Sequence, residues 1–172
     1  LLKHTFDLIY IATPDNTHYY IAKEILNFES KVKVLFIEKP IFQTKKEFNE
    51  IKTLSEKLKV NIIVNHTRRF NSKIVALKEL IQNHTFGEIK KINATYYSGI
   101  KHNGTHIVDT IIFLINDQII WDHSAFLCNN LYENDPTLEL SGYMKNSRAK
   151  ININAIDEKI YQIFEFDFWF AE

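Results

Sequence analysis

Glycine is scarce in this sequence: four residues in 172, with none before Gly87. A turn of the G-x-G-x-x-G kind, which cradles phosphate against backbone N–H groups, is therefore absent from the first half of the chain. Cysteine is rarer still. The single Cys128 allows no internal disulfide and belongs to no C-x-x-C, which points to a reducing compartment and to a small apolar side chain in a strand. No apolar run approaches the roughly 18 residues of a membrane span, and no basic-then-apolar leader is seen, so the expectation is a cytoplasmic protein. Neither sign of charge dominates. Lysine plus arginine and aspartate plus glutamate number 21 each, so the overall balance argues for neither nucleic acid nor an anionic membrane surface.

What is present is enough to build a core. With 45% hydrophobic and 24% charged residues, the chain can bury one large domain or two small ones. It starts at Leu1 rather than methionine, and its last residues, Phe166-Asp167-Phe168-Trp169-Phe170, still alternate as a strand does. Both ends are expected to be cuts through a longer protein.

Asp7 to Thr13 is an apolar run followed by Pro14-Asp15-Asn16, a strand followed by a turn and a helix cap. Helical spacing of Ile21, Ala22, Ile25 and Leu26 predicts a helix over 17–28, and Lys31 to Ile37 gives the next strand. Thr44 and Glu47 fit a capping box ahead of a stripe of Phe48, Ile51, Leu54 and Leu58, and Asn61 to Asn65 is a third strand. Alternating apolar strands and helices predict a parallel sheet with helices packed on it. After His66-Thr67-Arg68-Arg69-Phe70 the pattern changes. A helix over 72–82 closed by Gly87 and a helix over about 105–114 are set among strands at 89–97, 121–127, 138–144, 150–154 and 162–168. The expected architecture is α/β: part of a parallel sheet over residues 1–66, then an α+β domain with a largely antiparallel open sheet over 67–172.

In open parallel sheets, ligands sit beyond the carboxyl ends of the strands. Two strands end there in polar residues and proline: Thr13-Pro14 and Glu38-Lys39-Pro40. The Lys39 ammonium can stabilise a ligand hydroxyl or a developing alkoxide, Glu38 can orient it, and Pro40, open to a cis bond, fixes the turn; the plain alternative is a solvated strand end. The second cluster is Lys101-His102-Asn103-Gly104-Thr105-His106-Ile107-Val108-Asp109. With Asn103 or Thr105 as cap, His106 falls in the first helical turn, where the dipole disfavours imidazolium, and Asp109 can accept the other ring N–H. A hydrogen-bonded structural histidine is the alternative. His102, His106 and Asp109 also suggest a metal site, but Gly104 and the cap make a continuous helix through His102 unexpected, and no metal is expected. Arg69 and its neighbour Arg68 suit a phosphate or carboxylate, or a structural clamp on an acid.

IATPDNTHYYIAKEIL, EKP, HTRRF and GTHIVD, in that order and spacing, resemble the Gfo/Idh/MocA family of NAD(P)-dependent sugar and cyclitol oxidoreductases. The resemblance runs from Asp7 to about Leu114. It implies a Rossmann domain followed by a domain with an open sheet, with NAD or NADP as cofactor. It also implies Thr13, Pro14, Asn16, His18, Glu38 and Lys39 at the cofactor, and Lys39, Arg69, Asn103 and His106 at a sugar-like substrate. His106 becomes the general acid/base. Many members carry aspartate four residues before that histidine; here the position is His102, which joins Lys39 and His106 as a catalytic candidate. The family's glycine-rich pyrophosphate unit is missing, so the isolated chain is expected to be inactive, within a parent that is a homo-oligomer through its C-terminal sheet. Two other readings are a non-catalytic dinucleotide- or sugar-sensing regulator of the same fold, and an inactive scaffold fragment with Phe164, Phe166 and Phe168 at an interface.

Overall fold

The computed structural model describes residues 5–28, 32–129 and 134–171. Two compact units divide the chain, Leu1–His66 and Thr67–Glu172. Among the described residues no helix is long and apolar enough to cross a membrane.

The first unit is a parallel sheet in the order β1-β2-β3, formed by β1 (Phe6–Ile11), β2 (Val32–Glu38) and β3 (Asn61–Asn65). Lys31, the expected start of the second strand, lies outside the described residues. Helices α1 (His18–Asn27) and α2 (Lys45–Leu58) supply the crossovers. Because strand side chains alternate, Ile9, Ile11, Leu35, Ile37 and Ile62 share one face, where Ala22, Ile25, Leu26 and Ile51 from the helices close the core. A fully buried isoleucine contributes roughly 1.5–3 kcal/mol, and Leu35, Ile37 and Ile51 are each 0% exposed. The other face carries the exposed Leu8, Tyr10 and Ile63. The capping box forms as its spacing demands: Glu47 N–H donates to Thr44 Oγ1 (3.2 Å), and Thr44 N–H to Glu47 Oε2 (3.1 Å). The stripe of α2 is narrower than its period suggests, since Phe48 and Leu58 are exposed and Ile51 and Leu54 make the packing.

The second unit has a five-stranded sheet in the order β5-β6-β7-β4-β8. Its strands are β4 (Ile89–Tyr97), β5 (Ile119–Asn129), β6 (Pro136–Met144), β7 (Lys150–Ile156) and β8 (Glu165–Phe170). The pair β4 and β7 is parallel and the other three are antiparallel, so the sheet is mixed. Register puts Ile92 beside Ile151, Ala94 beside Ile153 and Tyr96 beside Ala155. These residues face Ile107, Ile111 and Leu114 of α4 (Thr105–Ile115) and Ile81 of α3 (Ser72–Gln82). Phe164, Phe166 and Phe168 pack against the same core, so their alternation is that of a core face. Gly87, at φ +87°, makes the left-handed turn after α3, and its N–H donates to His84 O at 3.0 Å.

Candidate functional site

In the first unit, the carboxyl ends of β1, β2 and β3 hold the candidate residues together. Thr13, Pro14 and Asn16 are exposed in the segment between β1 and α1. A 3-10 turn over Asp15–Thr17 precedes α1, and Thr17 Oγ1 donates to Pro14 O (2.6 Å) and lies 2.7 Å from Thr13 Oγ1. His18 is buried, with one ring nitrogen 2.9 Å from Thr13 O and the other 3.0 Å from Pro40 O. It ties the two strand-end loops to each other. The Lys39–Pro40 bond is cis.

Glu38 is the centre of a polar cluster absent from the sequence reading. The Tyr10 hydroxyl and Asn65 Nδ2 (2.7 Å) both donate to Glu38 Oε1. Burial pushes the Glu38 carboxyl up, but the hydrogen bonds from Tyr10, Asn65 and the Lys39 N–H, with the Lys39 charge, outweigh it and hold the group below the ordinary carboxylate value. The same bond pushes the Tyr10 phenol up. The signal for the cluster was a polar residue at the carboxyl end of each adjacent strand, Tyr10, Glu38 and Asn65. What made it hard to read is that Tyr10 also fits the apolar alternation of β1.

In the second unit the helical segment begins earlier than expected. A π-turn over Ile100–Gly104 runs straight into α4. Gly104 is helical at φ −60° and ψ −33°, and neither Asn103 nor Thr105 caps with its side chain. Asn103 Nδ2 donates to Tyr97 O (3.1 Å), and Thr105 Oγ1 to Lys101 O (2.8 Å). The expected cap therefore fails: the N–H groups it would have served are inside the helical segment, and His106 sits a turn beyond the segment's start. Gly104 packs tightly here: a Cβ would stand 2.4 Å from Ile100 Cδ1 and 3.1 Å from the Tyr96 ring, so the Ile100 side chain would have to move.

The true start of the segment is capped from far along the chain. Buried Asp135 accepts from Lys101 N–H (2.6 Å) and His102 N–H (3.2 Å), and its Oδ2 lies 2.6 Å from His102 Nδ1. Nothing local announced it. Arg69 meets Asp109 in a two-pronged pair, Nε to Oδ2 at 3.0 Å and a terminal nitrogen to Oδ1 at 2.6 Å. Of the two readings of Arg69, this geometry is that of the clamp on an acid. His106 is half-buried, and its carbonyl accepts from Thr110 Oγ1 at 2.7 Å. A cavity of about 700 Å³ at the far ends of α3 and α4, lined by Ile81, His84, Glu88, Ile115 and Asp117, includes none of the candidate residues.

Residues 1–66 match the model of the GFO_IDH_MocA family, described as "Oxidoreductase family, NAD-binding Rossmann fold". The chain is 34% identical to the uncharacterised oxidoreductase YfiI of Bacillus subtilis over 93 residues, which is 54% of the chain and 23% of that protein. Its fold is that of two solved structures. The Gal80p super-repressor mutant of Saccharomyces cerevisiae superposes with TM-score 0.79 at 17% identity, covering 88% of this chain and 50% of that one. A scyllo-inositol dehydrogenase from Lactobacillus casei superposes with TM-score 0.71 at 15% identity, covering 95% and 53%. The chain thus spans about a quarter of the curated relative and about half of each solved structure.

NAD is the cofactor class of the matched family. Exposed Thr13, Pro14 and Asn16 and half-buried Lys39 stand at the strand ends, where Glu38 is held ionised beside the lysine. Residues 1–66 contain no glycine for a pyrophosphate-binding turn.

Proposed function

We propose that the protein containing this chain is an NAD(P)-dependent oxidoreductase acting on a CH–OH carbon of a sugar, a nucleotide-linked sugar or a cyclitol. The observation that carries this reading is the anchored Glu38-Lys39-Pro40 end of β2 within a segment of an NAD-binding oxidoreductase family. When bound, the nicotinamide accepts or donates the hydride. Thr13, Pro14 and Asn16 line the cofactor cleft, and His18 sets its shape by holding the Thr13 and Pro40 carbonyls. The Lys39 ammonium stabilises negative charge developing on the substrate oxygen, while ionised Glu38 keeps the lysine charged and oriented. His106 takes the hydroxyl proton as the substrate is oxidised and returns it in reduction, and Asn103 and Arg69 border the substrate. The isolated chain lacks the pyrophosphate turn and is inactive. In the parent, which works in the cytoplasm, the sheet face opposite α3 and α4 joins a second copy.

The test is Lys39→Met in the full-length protein, which lowers kcat/KM by about 100-fold or more, the scale of losing one preorganised charge. Retained turnover overturns the role of Lys39. His106→Asn removes the proton acceptor and with it the acidic limb of the pH profile for substrate oxidation, where the imidazole must be deprotonated to act; an unchanged profile moves the proton transfer to His102. A second reading is favoured by His102 in the family's acid position and by the fold likeness to the transcriptional regulator Gal80p of a Kluyveromyces yeast: a dinucleotide- or sugar-sensing protein without turnover. Tight NAD(H) binding by the full-length protein with no turnover of any sugar or cyclitol selects it.

A further inference from the structure

We propose that Asp135 is a positioning residue for His102: it holds the ring in the Nδ1–H tautomer, so that Nε2 carries the lone pair. The inference rests on the oxidoreductase reading and places, just before β6, a carboxylate behind the ring that stands where many family members carry aspartate. Asp135 lies immediately before β6, 33 residues beyond His102. Its side chain is 1% exposed, and it serves as an acceptor for two main-chain N–H groups. Oδ1 takes the Lys101 N–H and Oδ2 takes the His102 N–H. The same Oδ2 stands 2.6 Å from His102 Nδ1. Because both oxygens already accept main-chain N–H groups, the geometry assigns the donor role to the ring nitrogen.

The main-chain bonds add precision to this arrangement. By gripping the two N–H groups that open the helical segment, Asp135 fixes the backbone of His102 and the direction of its ring with one carboxylate. A carboxylate behind an imidazole selects its tautomer and stabilises the imidazolium formed when Nε2 takes a proton. The π-turn contributes as well, since an i to i+5 bond, Gly104 N–H to Gly99 O at 3.1 Å, sets the pitch at which Lys101 and His102 present their N–H groups to Asp135. Asp135 therefore acts through His102 rather than on a substrate.

The experiment is long-range 1H–15N correlation of the histidine rings in the 172-residue chain. It is recorded at about pH 9, above the usual imidazole value of about 6.5, with His102 assigned by its loss in His102→Gln. In the wild-type chain the expected pattern is a protonated Nδ1 and a pyridine-like Nε2. Asp135→Asn keeps an oxygen for the Lys101 N–H but turns an amide donor toward the ring and the His102 N–H, and the expected result is reversal to the Nε2–H tautomer. A wild-type His102 in the Nε2–H form overturns the proposal without any Asp135 variant, so a variant that failed to fold would leave the question decided. An Asp135→Asn chain with wild-type amide dispersion and an unchanged Nδ1–H ring also overturns it, because a purely structural cap does not care which nitrogen is protonated. The readout needs neither cofactor nor substrate. A wild-type Nδ1–H ring in a full-length protein without turnover would retire the oxidoreductase reading and leave the positioning intact.

Discussion

The two units solve the same problem, holding polar groups in fixed places on an apolar scaffold, by different means. In the first, Tyr10, Glu38 and Asn65 meet because parallel strands all end at one edge, and the cluster needs only strand register, Tyr10 beside Phe36 and Glu38 beside Asn65. In the second, the sheet is mixed, and the groups at the start of α4 are held by partners brought from afar: Asp135 on His102 and Arg69 on Asp109. Topology gathers the first set, whereas long-range contacts of individual side chains gather the second. The first site should tolerate loss of one partner better than the second.

Cavities in the two cores test whether the units are energetically separate. Ile37→Ala and Ile151→Ala each remove a side chain that is 0% exposed, and each should cost about 2–5 kcal/mol. Hydrogen exchange should show the loss confined to residues 5–66 for the first and to residues 67–171 for the second. Equal loss of protection on both sides would mean that the units unfold as one.

A smaller effect probes the bonds that organise the second unit. The Tyr96 hydroxyl donates to Leu138 O (2.7 Å) and accepts from Leu138 N–H (3.0 Å), and burial pushes the phenol up to about 12. Tyr96→Phe strands both groups and should lower stability by about 1–3 kcal/mol in urea titration at neutral pH. Since the folded value lies above the unfolded one, near 10.0, ionisation of the unfolded chain destabilises the wild-type fold as pH rises past 10. The Phe variant should lose that part of the alkaline slope. An unchanged slope would locate it elsewhere.

The smallest effect belongs to Glu38. Its folded value is below the ordinary 4.5, so its ionised form stabilises the fold above the unfolded value, and the contribution disappears as pH falls from there through the lower folded one. The stability difference between the wild-type chain and Glu38→Gln should therefore shrink as pH is lowered through that window. A difference independent of pH would show that the Tyr10 and Asn65 bonds do not depend on the Glu38 charge.

Much of this architecture was readable because its signals are local. The strands at 61–65 and 89–97 and the helix at 72–82 have the predicted bounds. The capping box is seen as predicted, because Thr44 and Glu47 lie within one turn of each other. The cap of α4 was misread for a physical reason. Asn103 and Thr105 carry good capping side chains, but a cap is useful only where N–H groups are unsatisfied, and the π-turn moved that place back to Lys101 and His102.

By itself, then, the sequence determined the alternation of strand and helix, the parallel sheet and the strand end at which Glu38, Lys39 and Pro40 stand. Each follows from side-chain period and turn chemistry over a few residues. Only the tertiary structure decided that Asp135 would lie behind His102, Arg69 against Asp109 and Asn65 against Glu38. Such pairs span 33, 40 and 27 residues. They depend on register and helix packing, which no short window of residues encodes.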